Sequence, residues 1–273
     1  MSNRARVVFL AGLSLCVAFA CGSSLAAAQS TQEKTTAPGT TQEETTAPAM
    51  QEETTAPSTA QNNGDGYQKN FPPEPYKTTG RNPHFILEPG YVLRLKGNDD
   101  GEEVDLTITV TNETKMIDGV RTRVVEERET VDGKLLEISR NYFVLGQRTN
   151  NAYYFGEDVR FFDGRANPKE GSWRSGVDGA KYGQQMPAKA REGQRYYQEV
   201  APGVALDRAE HLSLNADVKT PAGNFRNVLK VRETTPLEPN VEEFKFHAKG
   251  VGLIKDGPVK LTCYGFGTKC TTS

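Results

Sequence analysis

The chain has 273 residues, 33 basic and 35 acidic, with a formal net charge of −2 and 36% hydrophobic content. That length admits one or two domains, and the basic residues form no block, which argues against nucleic acid as a partner. No segment after the first 28 residues approaches the run of about 20 apolar residues that a membrane-spanning helix needs.

The N-terminus reads as an export signal. Arg4 and Arg6 precede an apolar run from Val7 to Ala20, and small residues follow. Two processing sites compete. Ala26-Ala27-Ala28 before Gln29 suits an ordinary signal peptidase, whereas Ala20-Cys21-Gly22-Ser23-Ser24 resembles a lipoprotein box in which Cys21 would be lipidated. Either way residues 1–28 are a signal segment, and the protein is expected to be secreted or lipid-anchored at the outer face of the cell membrane. Loss of Arg4 and Arg6 leaves 31 basic against 35 acidic residues, a net charge of about −4.

Residues 29–66 change character. Thr35-Thr36-Ala37-Pro38 recurs as Thr45-Thr46-Ala47-Pro48 and Thr54-Thr55-Ala56-Pro57, with Gln-Glu pairs between. A segment this poor in apolar side chains cannot offset the entropy of ordering, so a disordered, Pro-extended spacer is expected. Residues 67–81 form an extended transition, and a globular domain is expected over 82–273.

That domain reads as all-β. Period-two alternation marks strands over residues 91–96, 104–112, 120–131, 135–144, 153–155, 159–162, 196–200, 211–218, 228–233, 241–247, 252–254 and 259–264. Asp118-Gly119 and Asp132-Gly133 are hairpin turns between such runs. Only 188–194 and 206–212 could hold a turn or two of helix. An antiparallel meander closing into a barrel-like or strongly curved sheet, with few short helices, accounts for the pattern.

Candidate chemistry is sparse. His84, His211 and His247 follow no metal-ligand or catalytic spacing, and read as isolated histidines. Should they converge in the fold with Asp178 or Glu199, a hydrolase or lyase becomes the alternative. Asp99-Asp100-Gly101-Glu102-Glu103 lacks the register of a calcium loop and reads as a solvated hairpin tip. Glu126-Glu127-Arg128-Glu129 reads as a charged strand face guarding an edge. The stretch from Gly171 to Gly183 holds the only tryptophan and four glycines. Trp173, Asp178 and Tyr182 there are candidate ligand-binding residues, although Trp173 could equally plug the core. Cys263 and Cys270 flank a Gly-rich turn and suit a small-loop disulfide in an oxidising compartment. No metal or cofactor is expected, and the oligomeric state is open. A non-enzymatic module binding an apolar or amphipathic ligand, or an envelope component, is the leading functional reading, with a purely structural surface protein beside it.

Asn82-Pro83-His84-Phe85-Ile86-Leu87-Glu88-Pro89-Gly90-Tyr91 resembles the opening N-P-Y-F-P-L-x-P-G-x-x-W of a family of actinobacterial secreted proteins and lipoproteins with no assigned activity. Tyr154 to Val159, Gly171 to Ala180, Gln198 to Ala205, and Thr235 to Pro239 with Gly250 to Leu253 are similar to the same family. His84 stands for its aromatic residue, Leu93 lies near its tryptophan, and the Cys263/Cys270 tail is an addition. The resemblance therefore implies export but no catalytic residue. The expected architecture is also similar to periplasmic lipoprotein carriers, whose curved sheets hold acyl chains, a likeness of fold class alone.

Overall fold

The structure, a computed structural model, describes residues 64–267. The export signal with Cys21, the repeat segment up to residue 63, and Cys270 lie outside the described residues. The Cys263–Cys270 pairing therefore stays an expectation.

No helix occurs among the described residues. The strands are β1 Tyr76–Lys77, β2 Arg81–Asn82, β3 Phe85–Ile86, β4 Tyr91–Asp99, β5 Glu102–Ile117, β6 Val120–Val131, β7 Lys134–Gly146 and β8 Ala152–Phe161. They continue as β9 Trp173–Arg174, β10 Lys181–Met186, β11 Arg195–Tyr197, β12 Glu199–Val200, β13 Arg208–Thr220, β14 Gly223–Thr235, β15 Glu238–Ala248, β16 Gly252–Asp256 and β17 Val259–Phe266. The main sheet runs β11-β13-β14-β15-β16-β17-β4-β5-β6-β7-β8-β10-β12, with antiparallel pairing throughout.

The two ends of that order, β11 and β12, are separated in sequence by Gln198 alone. One continuous stretch, residues 195–200, therefore bonds to β13 on one side and to β10 on the other, and the wall becomes a nearly closed barrel. Pairing at both ends of the order covers most of the exposed edge that would otherwise template aggregation. The seam is thin: β10 and β12 share only the pairs Lys181↔Val200 and Tyr182↔Glu199. Close approach there needs Gly183, since a Cβ at that position would lie 2.3 Å from the Gln198 carbonyl oxygen.

Local chemistry explains the turns. Asp118-Gly119 and Asp132-Gly133 each place Asp at φ 49° and Gly at φ 72°, the doubly left-handed conformation that matches the twist of a two-residue hairpin. The acidic tip Asp100-Gly101 closes the β4–β5 hairpin in the same region of φ.

The helix expectations fail. Residues 206–212 run into β13, where the Ala209, His211 face is drawn into the barrel by pairing with β14. Residues 188–194 form an irregular connection instead. The strand expected over 196–200 splits into β11 and β12 because it changes partner at the seam.

Inside, the wall is divided. β4, β5 and β17 turn Leu93, Leu95, Leu106, Val110 and Leu261 inward, as alternation dictates. β6 and β7 are different: Glu127, Glu129 and Glu137 are 6%, 4% and 3% exposed. The Glu126 to Glu129 cluster thus does not guard an edge. β6 pairs on both sides with β5 and β7, and Glu127 and Glu129 share the inward face with Val125.

The motif Asn82 to Leu87 caps the barrel. Asn82 is fully buried, donating Nδ2 to the carbonyls of Asn150 (2.9 Å) and Met186 (3.2 Å) and accepting from the His84 amide (2.9 Å). Phe85 then packs edge-on against Phe143 at 5.0 Å. Upstream, Glu74 accepts from the amides of Arg148 and Thr149 and from the Tyr153 hydroxyl, which fastens the transition segment to the outside of β7 and β8.

Candidate functional site

The stretch Gly171 to Gly183 is where sequence reading and structure meet. β9 adds to the outer part of β8 with pairs Gly156↔Arg174 and Glu157↔Trp173. Gly156, at φ 152°, permits that approach, because a Cβ would sit 2.8 Å from the Trp173 carbonyl. Ser175 anchors the loop further. Its hydroxyl donates to Asp118 (2.8 Å) at the β5–β6 turn, and it accepts from the Tyr182 amide (3.2 Å). A loop rich in glycine is thus held at several points.

Between this loop, the outward faces of β6 to β8 and the turn 201–204 lies a groove of about 680 Å³. Trp173 and Asp178 both line it. Trp173 is 6% exposed and meets Tyr154 edge-on at 5.1 Å, so it seals the core and floors the groove at once. The plug and the pocket are the same residue. Asp178, at φ 50°, is exposed on the rim. Tyr182 is elsewhere. It stacks on Phe155 at 4.5 Å and donates its hydroxyl to the Phe71 carbonyl, because the parity of β10 turns it under the transition segment.

The groove's remaining walls were not singled out from sequence. Ile138, Phe162, Val177 and Val204 supply apolar surface, with Phe162 41% and Val177 51% exposed. Four cations border it, in two states. Arg174 is spent on Asp158, which also accepts from Lys115 and Tyr142, and Arg140 pairs with Glu113. These hydrogen bonds hold the Asp158 carboxyl below the ordinary range, although burial works the other way. Arg160 lies over the Phe162 ring at 5.0 Å, and neither it nor Lys169 makes an ion pair among the described residues. Parity along β7 and β8 is the signal that could have found Ile138, Arg140, Arg160 and Phe162, all outward positions.

The three histidines do converge, yet not with Asp178 or Glu199. His84, His211 and His247 are 2%, 1% and 6% exposed. Burial pushes His84 and His211 down to about 4, with Lys249 adding to the first and His84 opposing protonation of the second. Burial also drives His247 well below its usual value, helped by His84, Lys245 and His211. His211 Nε2 bonds to the Tyr196 hydroxyl at 2.9 Å. Asp178 sits on the outer rim, and Glu199 accepts from the Asp207 amide inside the seam. The grouping of these histidines with Asp178 or Glu199 is not assembled, whereas His247 shares the lining of an inner void with Glu127 and Asp256.

A second void, of about 60 Å³, lies inside the barrel between Phe85, Leu93, Val125 and Phe143 on one side and Glu127, Lys245 and His247 on the other. A water occupies roughly 30 Å³ and a benzene-binding cavity is about 150 Å³. At about 60 Å³ this lumen is smaller than such a benzene-binding cavity.

Inside the barrel, burial raises Glu137 to about 9, Glu243 to about 8 and Asp256 to about 6, and lifts Glu127 and Glu199 well above the ordinary range. Neighbouring carboxyls add to each shift. Lys245 lies among them, 2.7 Å from Glu233 and 3.7 Å from Asp256. Burial disfavours its charge, but Asp256, Glu233 and Glu243 outweigh that and keep it protonated. The interior is therefore a largely neutral, proton-holding network rather than an array of free anions.

No protein-family model, no curated protein and no solved structure matches this chain.

Proposed function

We propose that the chain is an exported, non-enzymatic binding module whose outer groove takes an amphipathic anion from the cell envelope. The observation that carries this reading is the groove itself. Its size falls within the ~300–1,000 Å³ of small-molecule sites, and beside the carboxylates Glu126, Asp158 and Asp178 it combines apolar walls with two cations, Arg160 and Lys169, that make no ion pair among the described residues. An apolar body would lie along Ile138, Phe162 and Val177, and its charged head would meet Arg160 and Lys169. The export-type N-terminus and the Thr-Pro repeats support display of such a module at a membrane face or beyond it. A purely structural surface protein has no need of unpaired cations around a groove.

Calorimetric titration of the full chain with dodecanoate tests the proposal. Saturable binding is expected, weakened at least about tenfold in the Arg160→Glu/Lys169→Glu variant. A charged hydrogen bond is worth about 1.5–3 kcal/mol, and 1.4 kcal/mol is tenfold. Absence of binding, or equal affinity in the variant, rejects it.

A further inference from the structure

Strand register creates a feature that no stretch of sequence contains. Lys230 on β14 lies opposite Phe246 on β15, Phe246 opposite Lys255 on β16, Lys255 opposite Lys260 on β17, and Lys260 opposite Lys96 on β4. The next position in the row is Asp105 on β5, which pairs with Lys96 at 2.7 Å. Four lysines and one ring thus form a single transverse row. At about 4.8 Å per strand it is about 19 Å long. All five side chains are half-buried or exposed, and Arg94 and Arg128 are exposed on strands of the same wall. Lys230, Lys255 and Lys260 make no ion pair among the described residues.

Like charges directly opposite each other in a sheet are destabilising. Two consecutive Lys–Lys oppositions, in a chain whose overall charge is negative, are a standing cost that a bound polyanion would remove. We infer that this row docks an acidic polysaccharide. The row is one residue wide and crosses a convex wall, which suits an extended chain with regularly placed charges. A membrane surface fits less well. Among the described residues the exposed large apolar ones are Met116, Phe162, Val177, Leu237 and Phe266, none of them in the row. Nucleic acid also fits less well, because base stacking needs free ring faces. Here Lys230 and Lys255 sit over Phe246 at 5.8 and 5.0 Å, and Lys230 over Phe244 at 4.4 Å.

The test measures binding of polygalacturonate to the full chain, with dextran, anionic phosphatidylglycerol vesicles and single-stranded DNA as comparators. The wild type is expected to bind polygalacturonate in a salt-dependent manner and to ignore dextran. The Lys255→Gln/Lys260→Gln variant should bind at least about tenfold more weakly, with a shallower salt dependence. Its melting temperature should not fall, since the variant relieves like-charge opposition. The Arg160→Glu/Lys169→Glu variant should keep its polygalacturonate affinity, which separates this row from the groove. No binding by the wild type, unchanged affinity in the lysine variant, or tighter binding to vesicles or DNA overturns the inference.

Discussion

Thermal denaturation of the domain should show its highest melting temperature near pH 4.5–5 and a fall of at least about 5 °C by pH 8. The sign follows from the buried acids. In the unfolded chain a glutamate titrates near 4.3 and an aspartate near 3.9. In the folded barrel Asp256 holds its proton to about 6, Glu243 to about 8 and Glu137 to about 9, and burial also lifts Glu127 and Glu199 well above the ordinary range. A group with a raised folded value contributes stability in full below its unfolded value and loses it as pH climbs through the folded one. Each proton so held is worth about 1.4 kcal/mol per pH unit across its window. A kilocalorie moves the melting temperature of a domain this size by about 2–4 °C.

The histidines act oppositely. Burial pushes His84 and His211 down to about 4 and drives His247 well below its usual value. Their contribution is present above about 6.5 and lost as pH falls. From about 4.5 to 6.5 five carboxyls oppose three imidazoles, and above 6.5 the carboxyls act alone. Glu137→Gln should therefore gain on the wild type at pH 8 and lose that advantage at pH 5. A flat profile, or a higher melting temperature at pH 8 than at pH 5, contradicts the proton-holding interior.

Gly183→Ala should cost on the order of 3 kcal/mol, toward the upper end of what overpacking causes, and lower the melting temperature by about 10 °C. The added methyl would meet the backbone carbonyls of Gln198 and Tyr197 at 2.3 and 2.6 Å. Backbone cannot rotate aside as a flexible side chain can, so β10 must move away from residues 195–200. Because β10 and β12 share only two residue pairs, this displacement opens the seam. Amide exchange should therefore accelerate first at Lys181, Tyr182 and Val200, while the β5–β6 and β13–β14 ladders stay protected. Uniform loss of protection across the barrel would show that the seam is not a local closure.

The strands were legible because alternation in a half-buried wall is a local property. Val120–Val131 is bounded by two Asp-Gly turns, and the structure returns the same span. β10 was missed because Gly183-Gln184-Gln185 shows no alternation, and its burial depends on a seam partner found only after folding. The inward glutamates carried a readable signal. Glu127 and Glu129 fall two and four residues beyond Val125, on the inward parity of β6, although their charge alone predicts solvent. Trp173 and Asp178 were reached through their setting in a Gly-rich loop, whereas Arg160 and Lys169 needed the fold to show that they border the same groove. The lysine row was invisible in sequence: Lys96, Lys230, Lys255 and Lys260 become neighbours only through strand register.

The groove assignment is tested most directly by the fluorescence of Trp173, the single tryptophan of the 273-residue chain. Titration with a brominated dodecanoate, which quenches on contact, should reduce its emission saturably and in step with the calorimetric isotherm. The Arg160→Glu/Lys169→Glu variant should lose both responses together. Binding that leaves the emission of Trp173 unchanged would place the ligand elsewhere and contradict the account.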